Sequence, residues 1–329
     1  MRKKGIVDIK TVIKTVAVVL VLVAIIVVGV VFLTKMLTGK NGESGNKGGS
    51  SNNNNPDKPA VLNEKIDLQL AVDQWLTKQP DANNSGIVIY DLDNNEIVGR
   101  HLEDTAFRIE SIYKMFVAYE GYYRIDHDIW KATDVYPIAR DYKGNPYTRK
   151  LCLDHMVRFS YSPCAEVMWG EIKHDQLQNI YNEKGFKNTS IQGLTSTASD
   201  LTKLYQMFWN HTDLSENSWE QIKDSMINQV APASAGATYA QKWRQGLPSG
   251  FAKAKVYNKV GWLGDGNGHW IYYDDAAFVV MPEAEDKDTG LKHPERHYIV
   301  IALTKNTAPS QLVLLGRNIE SAIRTADNY

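Results

Sequence analysis

At 329 residues, with 43% hydrophobic and 23% charged content and a formal net charge of -1, the chain has the make-up of a globular protein carrying an extra apolar segment. The near-zero charge excludes the basic excess of a nucleic-acid-binding surface and the acidic excess of a solvated tail. The extra apolar material lies at the start. Thr15 to Thr34 is a run of twenty uncharged residues dominated by Val, Leu and Ile, and a helix of that length spans roughly 30 Å, the thickness of a bilayer core. The run exceeds the apolar region of about 7–15 residues in a cleaved signal peptide, and Lys35-Met36-Leu37 follows it. Arg2, Lys3, Lys4, Lys10 and Lys14 precede the span more densely than Lys35, Lys40 and Lys47 follow it. The positive-inside rule therefore puts residues 1–14 in the cytoplasm and everything after Lys35 outside the cell, with 15–34 as a single anchor in the lipid bilayer.

Residues 35–60 are rich in Gly, Ser and Asn and hold almost nothing that could enter a core, which predicts a flexible spacer. The block 61–329 is long enough for one large domain with a substantial core. Within it, Ile66 to Lys78 has helical spacing. Gly86 to Tyr90 predicts a strand, Asp91 to Glu96 a turn, and Ile97 to Arg100 the returning strand of a hairpin. A helix-rich middle follows, in which Leu201, Leu204, Tyr205 and Phe208 recur at helical spacing over Ser199 to Trp209. Strands are predicted at Lys255 to Val260, Ala276 to Met281 and Tyr298 to Thr304. A last helix starts at Pro309, with Leu312, Leu315, Ile319 and Ala322 on one face. Strands at both ends with helices between predict an α+β fold: an antiparallel sheet flanked by helices, plus an all-helical subdomain. Cys152 and Cys164 lie on the outer side, where an oxidising compartment permits a bridge; the alternative is two small buried apolar residues.

Three short segments carry chemistry. Ser111-Ile112-Tyr113-Lys114 places a lysine one turn after a serine on the same helix face. Such a lysine can take the serine proton if its own pKa is lowered. The plain structural alternative for Ser111 is a helix N-cap, and the same spacing recurs without meaning at Ser44 to Lys47 of the spacer. Ser160-Tyr161-Ser162 precedes Pro163; Ser162 as cap and Pro163 at the first helical position would explain part of it, but Ser160 has no such explanation. Lys259-Val260-Gly261 ends a predicted strand, where a lysine is ordinarily solvated and a glycine lets another backbone, such as a ligand's, approach. The eight histidines form no H-E-x-x-H, and His293-Pro-Glu-Arg-His297 is expected to be a solvated connection. No phosphate loop or dinucleotide fingerprint occurs, so no metal and no cofactor are expected.

In order and spacing these segments resemble the S-x-x-K, S-x-N and K-[TS]-G motifs of the class A β-lactamase and penicillin-binding protein superfamily. The likeness extends to Phe107-Arg108-Ile109-Glu110 before the first motif, to Val256 to Trp262 around the third, and to Asp275-Ala276-Ala277, so that it covers Val61 to Tyr329. It implies a β-lactamase/transpeptidase-like fold and a serine hydrolase with β-lactams or peptidoglycan stem peptides as substrates. It further implies Ser111 as the acylated nucleophile, Lys114 as base, Ser160 as proton relay to the leaving nitrogen, and a substrate-binding set of Ser162, Lys259, Val260 and Gly261. The oxyanion would take the backbone N–H of Ser111 and one from the third strand.

Three departures stand out. Ser162 replaces the Asn of the second motif, and a hydroxyl lacks the reach of an amide. Val260 replaces a hydroxyl residue, whose lost bond to a substrate carboxylate is worth about 1–2 kcal/mol. The segment Gly185 to Ser199 contains no Glu, whereas class A β-lactamases activate their deacylating water with a loop Glu. Glu166, Glu171 and Glu183 fall in helical patterns where surface carboxylates are expected. The absent base predicts slow deacylation and brings a D,D-peptidase role close as a rival; a glutaminase is more distant. Ser162 and Val260 also suit a catalytically silent cell-wall-binding or sensor module. A monomer is expected.

Overall fold

The computed structural model describes residues 65–141, 143–227 and 245–329. The expected cytoplasmic segment, anchor and spacer (1–14, 15–34 and 35–60) lie outside the described residues, among which no helix is long and apolar enough to cross a membrane. In chain order come α1 (Gln69–Leu76), the hairpin β1 (Ser85–Asp91) and β2 (Glu96–His101), and the short β3 (Phe107–Arg108). Next are α2 (Tyr113–Asp126), α3 (Arg149–Arg158), α4 (Ser162–Ile172), α5 (His174–Glu183), β4 (Thr195–Ser196), α6 (Ala198–Trp209) and α7 (Glu216–Met226). The chain ends with β5 (Lys255–Gly264), β6 (Trp270–Met281), β7 (Ala284–Glu285), β8 (Lys292–His293), β9 (Arg296–Thr304) and α8 (Pro309–Ala326).

A five-stranded sheet in the order β2-β1-β9-β6-β5 forms the frame, and all its pairings are antiparallel. The expected α+β class is what the chain adopts. The inner strands alternate strictly between two cores, because successive side chains of a strand point to opposite faces. Val88, Phe278, Ile299 and Ile301 pack into the helical subdomain. Ile87, Ile89, Val279, Val300 and Ala302 pack with Leu312, Leu315 and Ile319 of α8 and Val72 and Trp75 of α1. With both faces covered, β1 is buried at every position but Tyr90.

Helix α1 is shorter than the expected Ile66 to Lys78. The Leu68 N–H goes to Val98 O of the sheet edge and Asp67 accepts from Gln69 N–H, so the backbone turns helical only from there. The segment expected to be solvated between the last two strands is so only in part: Glu295 is exposed, while His293 and Arg296 are buried. Arg296 is 3% exposed and His293 4%, and Arg296 Nε donates to Asp327 Oδ2 at 2.8 Å, which ties the end of α8 to β9.

Helix α2 is buried at every residue from Tyr113 to Tyr122. A helix apolar all round belongs at the centre of a subdomain, and this one carries Lys114 into the core. Helices α3 and α4 are joined by a Cys152–Cys164 disulfide; both cysteines are fully buried. The bridge closes the short segment that contains Ser160-Tyr161-Ser162. Closing a loop of this size stabilises by about 3 kcal/mol through the unfolded state. Replacing both cysteines by Ala is therefore expected to lower the urea-unfolding free energy by about that amount; an unchanged midpoint would show that the bridge contributes nothing.

Candidate active site

Ser111 sits in a single 3-10 turn, Glu110–Ile112, immediately before α2. The turn is set by two contacts. Ile109 N–H donates to Leu194 O at 2.8 Å, and Gly261 of β5 lies against the Ile109 carbonyl, where a Cβ would come within 2.4 Å of the oxygen. Gly261 is thus required by a close approach, but what approaches is the chain's own nucleophile turn rather than a ligand backbone. Glu110 adopts φ +36 and Ser160 φ +54, a left-handed conformation unusual for residues other than glycine that costs of order 1–3 kcal/mol and clusters at functional sites.

Lys114, 1% exposed, has its ammonium at the centre of the three motifs. Its Nζ donates to Ser111 Oγ at 3.1 Å, Ser160 O at 2.7 Å, Ser160 Oγ at 3.2 Å and Ser162 Oγ at 3.1 Å. Lys259, also 1% exposed, donates to the same Ser160 Oγ at 3.0 Å and to Val260 O at 2.9 Å. One serine hydroxyl therefore joins two buried lysines. The left-handed turn at Ser160 lets its carbonyl and its hydroxyl both face Lys114.

These distances overturn the plain structural alternatives. The helix carrying Ser162 has Tyr161 at its N-cap and no side-chain cap bond, so the Ser162 hydroxyl faces Lys114 instead of capping. The turn around Ser111 likewise has no side-chain cap. The shorter side chain at position 162 does span the gap. Lys259 is buried rather than solvated. Val260 differs from the expectation of a substrate contact: its side chain is 2% exposed, in register with Asp275 of β6, and its carbonyl serves Lys259. Odd and even residues of β5 point to opposite faces, so Lys259 and Val260 cannot both present side chains to the site.

Burial depresses both lysines. Lys114 is lowered to about 8, chiefly by desolvation, with the charge of Glu166 acting in the opposite direction. Lys259 is driven well below its ordinary value by complete burial and then by the charge of Lys114. A lysine at about 8 has a substantial neutral fraction near neutral pH, and a neutral amine 3.1 Å from a serine hydroxyl can take its proton.

Glu166 is exposed on α4, as expected, and it also bonds to the first motif: the Tyr113 hydroxyl donates to Glu166 Oε1 at 3.0 Å. Glu171 is held elsewhere, by Tyr136 and Arg149, and Glu183 is exposed on α5. The segment after α5 is pinned close to the site and carries no Glu. Asp200 accepts from Asn188 N–H and from the Thr189 hydroxyl, Gln178 clamps Thr189 and Ile191, and β4 pairs with β3 just before Ser111.

A two-core α+β fold with serine hydroxyls and two lysine Nζ atoms converging from three segments defines the penicillin-recognising serine hydrolase superfamily. The chain belongs to the beta-lactamase enzyme family, whose model matches residues 67–323. Solved structures agree in fold. PBP-A is 19% identical, with 82% of this chain and 100% of that one covered at a TM-score of 0.58. A class A beta-lactamase from Bacteroides cellulosilyticus is 13% identical, with 80% and 100% covered at 0.62. A mutant of PBP-A, solved as an acyl-enzyme complex with penicillin G, is 19% identical, with 78% and 96% covered at 0.58. No curated protein sequence matches the chain.

Proposed function

We propose that this protein is a membrane-anchored, extracytoplasmic serine hydrolase that is acylated on Ser111 by β-lactams or acyl-D-Ala-D-Ala peptides and deacylates slowly. The carrying observation is the Lys114 amine, which lies within hydrogen-bond reach of both Ser111 and Ser160. In this reading neutral Lys114 takes the Ser111 proton as Oγ bonds to the carbonyl carbon. Ser160, bridged to both lysines, hands a proton to the leaving nitrogen. Lys259, hydrogen-bonded to Ser160 Oγ, serves the substrate carboxylate, whose arrival favours the ammonium form that burial disfavours in the free enzyme. The oxyanion takes the Ser111 N–H and a second one from edge strand β5. Slow deacylation follows from the Glu-free segment Gly185 to Ser199. The anchor rests on the apolar run Thr15 to Thr34 and its charged flanks.

A peptidoglycan D,D-peptidase role uses the same residues, and the missing loop Glu favours it over rapid drug hydrolysis. The silent-module alternative loses one of its two supports, because Ser162 reaches Lys114 at 3.1 Å. Intact-protein mass followed over hours after mixing with benzylpenicillin tests the proposal: a persistent adduct is expected. No adduct and no drug loss would favour the silent module; rapid drug loss without an adduct would mean a fast β-lactamase. The pH dependence is a second test. Only the unprotonated amine can act as base, so the acylation rate is expected to rise about tenfold per pH unit below the Lys114 pKa of about 8 and to level off above it. A flat profile between pH 6 and 8 would rule out Lys114 as the titrating base.

A further inference from the structure

Acylation leaves an ester that water must break, and the segment that carries the usual carboxylate in related enzymes has none. Among the described residues two carboxylates are tied to the nucleophile's own turn: Glu110, whose Oε1 is taken by Arg108, and Glu166. Glu166 lies one helical turn after Ser162 on α4, and residues four apart share a helix face; the Ser162 hydroxyl is 3.1 Å from Lys114 Nζ. Its Oε1 accepts from the hydroxyl of Tyr113, at 3.0 Å, and Tyr113 stands between Ser111 and Lys114 in the first motif. The Tyr113 ring centroid is 5.8 Å from Lys114 Nζ, and the ring packs on Trp169 at 5.2 Å, a residue of the same helix as Glu166. Glu166 itself is exposed, and its Oε2 has no partner among the described residues. One oxygen is thus oriented by protein while the other faces water.

We infer that Glu166, oriented by Tyr113, is the general base for deacylation, reaching the ester from α4 instead of from the loop. This rests on the acyl-enzyme reading above. In the step, the Glu166 carboxylate takes a proton from water as the water oxygen bonds to the acyl carbonyl carbon. The tetrahedral adduct collapses, breaking the bond from carbon to Ser111 Oγ, and the proton held by Glu166 passes through the neutral Lys114 amine to Oγ. That restores the Glu166 carboxylate, the neutral amine and the Ser111 hydroxyl of the resting site. An exposed carboxylate faces bulk water and does not hold one attacking water in place, so deacylation remains slow but measurable.

The test uses the full chain in detergent and benzylpenicillin, with the rates of adduct formation and adduct decay measured separately by intact mass. Glu166→Gln is expected to lengthen the acyl-enzyme lifetime roughly tenfold to a hundredfold, the low end of what general-base catalysis contributes, with acylation slowed far less. Glu166→Asp, which retracts the carboxylate by one methylene, is expected to give an intermediate lifetime. Tyr113→Phe is expected to lengthen it about threefold through lost orientation, a fraction of the general-base contribution. Glu183→Gln, on the surface, serves as the control. Decay at the wild-type rate in both Glu166 variants overturns the assignment, as does a wild-type adduct that never decays. Equal slowing of formation and decay means that Glu166 acts only through Lys114 and overturns it too. Absence of any wild-type adduct instead brings down the acyl-enzyme reading on which the inference stands.

Discussion

Ser111→Ala is expected to abolish covalent labelling by penicillin and to lower acyl transfer by at least about 10⁴-fold, as removal of an enzyme's nucleophile does elsewhere. No other hydroxyl can substitute. Ser160 is committed to both lysines, and Ser162 faces Lys114 from the helix behind it. The fold should survive. Ser111 occupies a 3-10 turn without a side-chain cap bond, and its loss leaves Lys114 with three acceptors, Ser160 O, Ser160 Oγ and Ser162 Oγ. The variant should therefore keep its unfolding midpoint while the intact mass stays unmodified after hours with the drug. A labelled Ser111→Ala protein, with the adduct mapped to another residue, would remove the nucleophile from the proposal.

The second large effect is expected at Lys114. Replacing it by Met keeps most of the volume in a fully packed helix and removes the base. General-base contributions run to about 10²–10⁴-fold, and the acylation rate should fall by that amount and lose its rise towards pH 8. Stability should change little, because two opposing effects nearly cancel. The Ser160 carbonyl loses its donor, at a cost of about 1–3 kcal/mol for a buried unsatisfied group. The protein no longer buries an ammonium whose charged form the site disfavours. Measuring acylation by stopped flow and stability by urea titration on the same sample separates the two effects. A Lys114→Met protein that acylates at the wild-type rate would transfer the base role elsewhere, with Lys259 next in line through Ser160.

Much of the frame was legible in local pattern. The hairpin of β1 and β2, the parts of β5 and β6 over Lys255 to Val260 and Ala276 to Met281, and the final helix from Pro309 all follow from periodicity and turn residues, which act over a few positions; the extension of β5 to Gly264 and of β6 back to Trp270 was not legible. The three motifs were legible for the same reason, since each is a run of three or four residues. The ends of elements were less so: α1 begins at Gln69 because the Leu68 N–H is claimed by Val98 of the sheet, a partner thirty residues away.

What each motif residue does was decided by packing. Ser162 and Ser111 both have adequate explanations as helix caps in sequence, and neither is one. Gly261 and Val260 read as ligand contacts until the Ile109 carbonyl is found against the first and the second is found buried opposite Asp275. Glu166 had one legible signal, its place one turn beyond Ser162, while its partner Tyr113 lies 53 residues earlier. By itself the sequence determined the family, the order of strands and helices, and the three segments that supply the chemistry, because those depend on short-range pattern. Only the tertiary structure decided that Ser160 bridges two lysines, one of them 99 residues away, that the cysteines pair, and that Glu166 joins the nucleophile's turn. Those contacts depend on distances across the fold, which no local pattern encodes.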